Sequence, residues 1–167
     1  MKEQLLSKIH AMHANWIDEC KINLEHVFVE IDEDMPEDVY TMDVDAHDIV
    51  IKAKTEAFLF YGLLDLLAKA DARDIIKQER YEAKAKERAV HVDFGRKFYS
   101  KEWFKKLILL MAENKLNTLQ MHMSENLGFR IESKQYPEIV SKEHLSQKDI
   151  REIISFAKTY YRSEERR

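Results

Sequence analysis

His122, Ser124, Glu125 and Asn126 crowd polar, hydrogen-bonding side chains into five positions directly after the apolar-alternating stretch TLQM at 118–121. A second group, Phe94-Gly95-Arg96-Lys97, follows VHVD at 90–93 in the same way. A guanidinium offers planar donors and a carboxylate offers acceptors, and such forks hold carboxylates or neutral, hydroxyl-rich molecules such as sugars. The same residues suit plainer work. Glu125 and Asn126 can cap a turn, and Arg96 can pair with a carboxylate at a strand end. Spacing alone leaves both readings open.

For these groups to act together, two strands must finish at one edge. Residues 90–94 and 118–123 have the alternation of strands, and 100–115 between them has helical spacing. Ser100 opens that helix, with Trp103, Phe104, Leu107, Ile108, Leu110 and Met111 on the side expected to be buried. Strand, helix and strand at this separation predict a parallel pair joined by a right-handed crossover. The carboxyl ends of both strands then share a rim, which is where α/β sheets and barrels bind ligands. Arg96, His122, Glu125 and Asn126 are expected on that rim. A last helix, 146–161, is capped by Ser146 and carries Ile150, Ile153, Ile154, Ala157 and Tyr160 as its stripe.

The first half predicts a separate layer. Residues 2–20 place Leu5, Leu6, Ile9, Met12, Trp16, Ile17 and Cys20 at helical spacing, so one amphipathic helix is expected. Strands are expected at 24–31, 39–45 and 48–54, the last two as a hairpin. A helix at 55–70, capped by Thr55, shows Phe58, Leu59, Leu63, Leu66 and Leu67 to the sheet. Residues 81–89 read as a linker or frayed helix. The expected organisation is an accessory α+β domain, 1–80, followed by a second α/β domain, 81–167.

Composition narrows the partners. With 27 basic and 31 acidic side chains the net charge is −4, which creates no field to recruit nucleic acid or an anionic membrane. No apolar run approaches the roughly 18 residues of a membrane span, and Cys20 is the single cysteine, so a cytoplasmic, reducing setting is expected. His10 and His13 share a predicted helix face but have no third ligand nearby, and DEDMPED at 32–38 lacks the glycine of a calcium loop. No metal and no cofactor are expected. The basic run of Arg96, Lys97, Lys101, Lys105 and Lys106 reads as a solvated helix face, and Met111, Met121 and Met123 as core filler. Three glycines and two prolines are few beside the usual 7% and 5% or so. Either a helix-rich natural sequence or deliberate editing would produce that shortage.

The stretch HVDFGRKFYSKEWFKKLILLMAENKLNTLQMHMSENLGFRIESKQYPEI resembles the opening of the catalytic barrel of glycoside hydrolase family 20, the β-N-acetylhexosaminidases and lacto-N-biosidases. The family's D-x-G-R-x-F/Y pattern is similar to Asp93–Phe98, and its H-x-S/T-D/E-N/D-x-G-F/W-R pattern to His122–Arg130. VYTMDVDAHDIVIKAKTEAFLFYGLLDLL is similar to the α+β domain preceding that barrel. The resemblance implies a retaining glycosidase in which the sugar's own acetamido oxygen attacks, acting on N-acetylhexosamine-containing glycans. It implies that Arg96 hydrogen-bonds sugar hydroxyls, and that Glu125, supported by His122 and Asn126, belongs to the polar network beneath. Departures from the pattern fall at Leu127, at Ala57-Phe58 and at Ala83 and Ala85.

The family's catalytic Asp-Glu pair lies on the fourth barrel strand, and no counterpart follows Arg130; Glu164-Glu165 reads as a solvated tail. The expectation is therefore the first βαβα units of an incomplete (β/α)8 barrel, inactive by itself because it holds no catalytic residue. Two strands of such a barrel would leave an unpaired edge and an uncovered apolar face, so a homodimer through that edge is expected. The alternative is a noncatalytic module, natural or engineered, that uses the same shape to self-associate.

Overall fold

Thr55, Ser100 and Ser146 each open a helix through a side-chain hydroxyl. The computed structural model describes residues 1–161 and 163–166, and for 163–166 the backbone alone. The chain is mixed α and β and divides into two units, Met1–Lys86 and Glu87–Arg167.

The first unit begins with helices α1 (Lys2–His10) and α2 (Ala14–Asp18). The single helix expected over 2–20 is thus broken at residues 11–13. Leu5, Leu6 and Ile9 are buried, whereas α2 buries nothing and Trp16 stacks on His13 with ring centroids 3.9 Å apart. Four strands follow: β1 (Val27–Ile31), β2 (Val39–Val44), β3 (Ile49–Ala53) and, after helix α3 (Glu56–Ala72), β4 (Glu79–Glu82). Their order is β1-β3-β2-β4, with β1 parallel to β3 and the other pairs antiparallel. The predicted β2–β3 hairpin is present. Its turn is closed by the Asp45 carboxylate, which accepts from the amides of His47 (2.8 Å) and Asp48 (2.7 Å).

Thr55 caps α3, accepting from the Phe58 amide at 3.4 Å, and Phe58, Leu59, Leu63, Leu66 and Leu67 are buried as their spacing predicts. Gly62 faces the sheet so closely that a Cβ there would lie 2.5 Å from Ile51 Cγ2 and 3.2 Å from the Tyr40 ring. The Tyr40 hydroxyl donates to Asp65, and burial, with Asp65 beside it, pushes that phenol far above its ordinary range. Of the stretch 81–89 read as linker, residues 81 and 82 are strand instead, the end of β4: β4 pairs with β2, Tyr81 stacks on Tyr40, and Lys69 of α3 pairs with Glu79.

The second unit holds β5 (Ala89–Asp93), α4 (Lys101–Glu113), β6 (Thr118–His122), the two-residue strands β7 (Ser124–Glu125) and β8 (Gly128–Phe129), α5 (Gln147–Thr159) and β9 (Ser163–Arg166). β5 and β6 are parallel, with Asp93 level with His122. Within the segment read as a tail, the backbone of Ser163–Arg166 is described, and it is strand. Ser163–Arg166 forms a third parallel strand beside β6, its backbone opposite Thr118–Met121.

Val92, Leu119 and Met121 are buried with Phe104, Ile108, Ile150 and Ile153 of the helices. The alternate residues Ala89, His91, Asp93, Gln120 and His122 remain partly or fully exposed. The exposed face of β5 and β6 is therefore polar, not the apolar face expected of two barrel strands. Among the described residues β5 has only β6 as neighbour. Two positions expected on the buried side of α4 lie outside it: Leu110 is 54% exposed, and Trp103 stacks instead on Tyr99 at 4.1 Å.

Ser100 caps α4 through the Trp103 amide, and Ser146 with Asp149 forms a reciprocal capping box on α5. Lys101 joins the two helices by salt bridges of 2.8 Å to both Asp149 and Glu152. The hydrogen bond from Lys101, then that from Ser146, holds the Asp149 carboxyl down at about 2, and Lys101 also lowers that of Glu152. A carboxyl whose folded value is depressed stabilises above its unfolded value and loses that contribution as pH falls through the folded one. Urea unfolding followed through Trp103 is expected to show second-unit stability declining from about pH 4 toward about 2. Lys101→Met should flatten that decline, and added salt should shrink it, since the groups are partly exposed.

Candidate functional site

Past the end of β5 the ladder continues by one step, because the amides of Phe94 and Gly95 both donate to the His122 carbonyl, at 3.2 and 3.1 Å. This turns the following residue, Arg96, over the β7–β8 hairpin. Its Nε lies 3.0 Å from Asp93 Oδ2 and its Nη2 3.5 Å from Glu125 Oε1, while its backbone amide donates to Asp93 Oδ1 at 3.2 Å. The second oxygen of Glu125 accepts from the Asn126 amide at 2.8 Å, closing the hairpin turn.

Both readings of the spacing are thus realised in the same atoms. Glu125 shapes the turn and Arg96 is ion-paired, yet the Arg96 side chain is 64% exposed, against 28% for Asp93 and 25% for Glu125. Two half-buried carboxylates cradle a guanidinium whose outer side faces solvent. A guanidinium has five N–H donors, so this one, oriented by its two carboxylates, can offer the rest to hydroxyl or carboxylate oxygens of a ligand. That arrangement can bind and orient a ligand, and among the described residues both of its carboxylates are already engaged by the guanidinium.

The four residues expected on the rim contribute unequally. Arg96 and Glu125 meet. Asn126 serves through its backbone amide at the exposed turn. His122 sits level with Asp93 and supplies its carbonyl to the junction, while its ring lies 5.8 Å from that of His91.

Sequence reasoning passed over Asp93 as the nearer partner of Arg96, and also Arg130 and Ser141. Arg130 Nε donates to the Gly95 carbonyl at 3.4 Å and its Nη1 to the Glu143 carbonyl at 3.1 Å; Ser141 Oγ accepts from the Phe129 amide at 3.0 Å. A signal for this junction was available. Of three glycines in the chain, Gly95 and Gly128 both lie here. A Cβ on Gly95 would be 2.9 Å from both the Cβ and the amide nitrogen of Glu125, and one on Gly128 would be 2.9 Å from Ser141 Oγ and 3.1 Å from the Gly95 carbonyl oxygen.

Elsewhere, His10 bonds Asp18 at 3.0 Å and His13 stacks on Trp16, so the two histidines do not converge. Among the described residues no three His, Cys, Asp or Glu side chains are placed to hold a metal ion, and no helix is long and apolar enough to cross a membrane.

Comparison with known proteins places this junction in context. Residues 86–164 match the catalytic domain of glycosyl hydrolase family 20. A beta-hexosaminidase of Vibrio vulnificus is 30% identical over 117 residues, 68% of this chain and 14% of that protein. The N,N'-diacetylchitobiase of Vibrio harveyi is 30% identical over 104 residues, 60% of this chain and 12% of that protein. The chain therefore spans about one seventh or less of the length of these relatives. Among solved structures, a family 20 beta-N-acetylglucosaminidase superposes with a TM-score of 0.77 at 23% identity, covering 98% of this chain and 36% of that one. The beta-N-acetylhexosaminidase of Bacteroides fragilis gives 0.73 at 24%, covering 88% and 34%. These superpositions show a shared fold.

Proposed function

Because residues 86–164 match the catalytic domain of glycosyl hydrolase family 20, we propose that the Arg96–Glu125 junction is the sugar-binding half of a β-N-acetylhexosaminidase site. The observation that carries this reading is the mouth itself: a solvent-facing guanidinium held over Asp93 and Glu125 at the carboxyl ends of two parallel strands, inside the matched segment. Its ligand is the terminal N-acetylhexosamine of a glycan. Arg96 donates to ring hydroxyls, Glu125 and Asp93 fix its plane, and His122 and Asn126 support the floor through backbone groups. The two units correspond to an accessory α+β domain and the opening strands of a (β/α)8 barrel.

Binding and bond cleavage separate in this chain. Cleavage by substrate assistance needs a carboxylic acid at the leaving oxygen, and a positioned acid contributes about 10² to 10⁴ fold. None of the described side chains at the mouth fills that role, since Asp93 and Glu125 are both engaged by Arg96. The 167-residue polypeptide is expected to give no turnover of a chromogenic N-acetylglucosaminide above the buffer blank. It is also expected to show a saturable response to N-acetylglucosamine in an NMR titration, weakened about tenfold or more in Arg96→Ala by loss of charged hydrogen bonds. Turnover by the polypeptide, or wild-type affinity in the variant, contradicts the reading.

A further inference from the structure

The closeness of the Gly95 loop to the hairpin needs a holder, because the Arg96–Glu125 contact alone is long and largely solvated. We propose that Arg130 is the positioning residue of the mouth: it ties the Gly95 carbonyl to the segment after β8 and thereby sets the distance between Arg96 and Glu125. The assignment deepens the sugar-binding reading given above, and rests on it only where sugar affinity is concerned.

Four observations converge on Arg130. Its side chain is 14% exposed, whereas that of Arg96 is 64% exposed, so the two arginines of the junction differ in kind. It bridges separate stretches of chain: Nε reaches Gly95 at 3.4 Å, Nη1 reaches the Glu143 carbonyl at 3.1 Å, and the Glu143 carboxylate lies 3.8 Å away. Its backbone is also fixed, since its amide donates to the Met123 carbonyl and its carbonyl accepts from the Leu145 amide, both at 2.9 Å. Space has been cleared for this guanidinium, for a Cβ on Gly128 would approach Arg130 Nε to 3.0 Å.

The chemistry favours arginine. A carbonyl on one loop and another on a second loop lie in different directions, and a planar fork serves both at once, which a single ammonium cannot do with the same geometry. With Gly95 held, Arg96 leaves the chain at a fixed point beside Asp93. Without the clamp the loop keeps its ladder bond to His122 but loses the tie that presses it toward Glu125.

Amide hydrogen exchange on the nitrogen-15-labelled 167-residue chain reads this directly. In Arg130→Gln the amides of Gly95 and Arg96 are expected to exchange about tenfold faster, the factor given by loss of one charge-assisted hydrogen bond of ordinary strength, while Val92 and Met121 keep their protection. A role in general stability would raise exchange at all four together. N-acetylglucosamine titrated into the same samples should bind about tenfold more weakly to Arg130→Gln, with Arg130→Lys, which keeps the charge on a single nitrogen but not the planar fork, in between. The lysine variant is measured whether or not the glutamine variant folds. Unchanged exchange at Gly95 and Arg96 in a folded variant, or equal loss across the ladder, overturns the proposal. Absence of any sugar response in the wild-type chain would instead remove the carbohydrate reading, and the exchange comparison would still decide the role of Arg130.

Discussion

Replacing Gly95 with valine is expected to destabilise the second unit by about 3 kcal/mol, the upper part of the range for overpacking a closed contact. The neighbours cannot yield cheaply. A first carbon at this position already meets the Glu125 amide nitrogen and Cβ at 2.9 Å and the Ser124 carbonyl carbon at 3.0 Å, two of which are backbone atoms of a hairpin strand. The glycine is required here by proximity alone, since no glycine in the chain has a positive φ. Relief of the clash must push the loop away from the hairpin, so the same substitution should abolish sugar binding at concentrations that saturate the wild type. The two tryptophans fall in different units, Trp16 in the first and Trp103 in the second. Urea unfolding of a Trp16→Phe background therefore isolates the expected loss, and a midpoint equal to that of the parent would refute the packing argument.

Gly62→Val should cost the first unit a similar amount, and here two effects oppose each other. Glycine inside a helix is worse than alanine by about 1 kcal/mol, so filling the position favours α3 in isolation. Against that stands a Cβ built 2.5 Å from Ile51 Cγ2, a methyl on a branched carbon of the central strand that cannot swing aside as a chain end would. Overpacking of this kind costs about 1–3 kcal/mol, and valine returns most of the propensity gain because its branched carbon crowds the preceding turn. The clash wins. Unfolding followed through Trp16 in a Trp103→Phe background should show the loss, with Gly62→Ala falling between valine and wild type. A stabilised alanine variant would mean that α3 can lift from the sheet at little cost.

Much of the positioning frame was legible because it depends on local signals. Thr55, Ser100 and Ser146 each precede an apolar helical period, and each accepts the amide expected of a cap. The parallel relation of β5 and β6 followed from the length between them, and with it the meeting of Arg96 and Glu125. What escaped had no local signal. The apolar period runs in phase through residues 11–13, so nothing in it announces the break between α1 and α2. In ERYE only Tyr81 is apolar, and its strand is specified from outside, by β2 and the stack on Tyr40. Ser163–Arg166 has no apolar alternation, so its pairing with β6 rests on backbone hydrogen bonds that composition does not encode. Arg130 escaped for the opposite reason: its partners, Gly95 and Glu143, are loop carbonyls, which every residue possesses.

The open face of β5 and β6 restricts what can ever lie against it. His91 and Gln120, bonded to each other at 3.0 Å, lie there with His122 and with Asp93, which is paired to Arg96, and stranding a polar group without a partner beneath a greasy lid costs about 1–3 kcal/mol. Any surface that closes over these strands must therefore bring hydrogen-bonding partners of its own or trap solvent between the layers, and a cover of leucines would be rejected by the dehydration it demands.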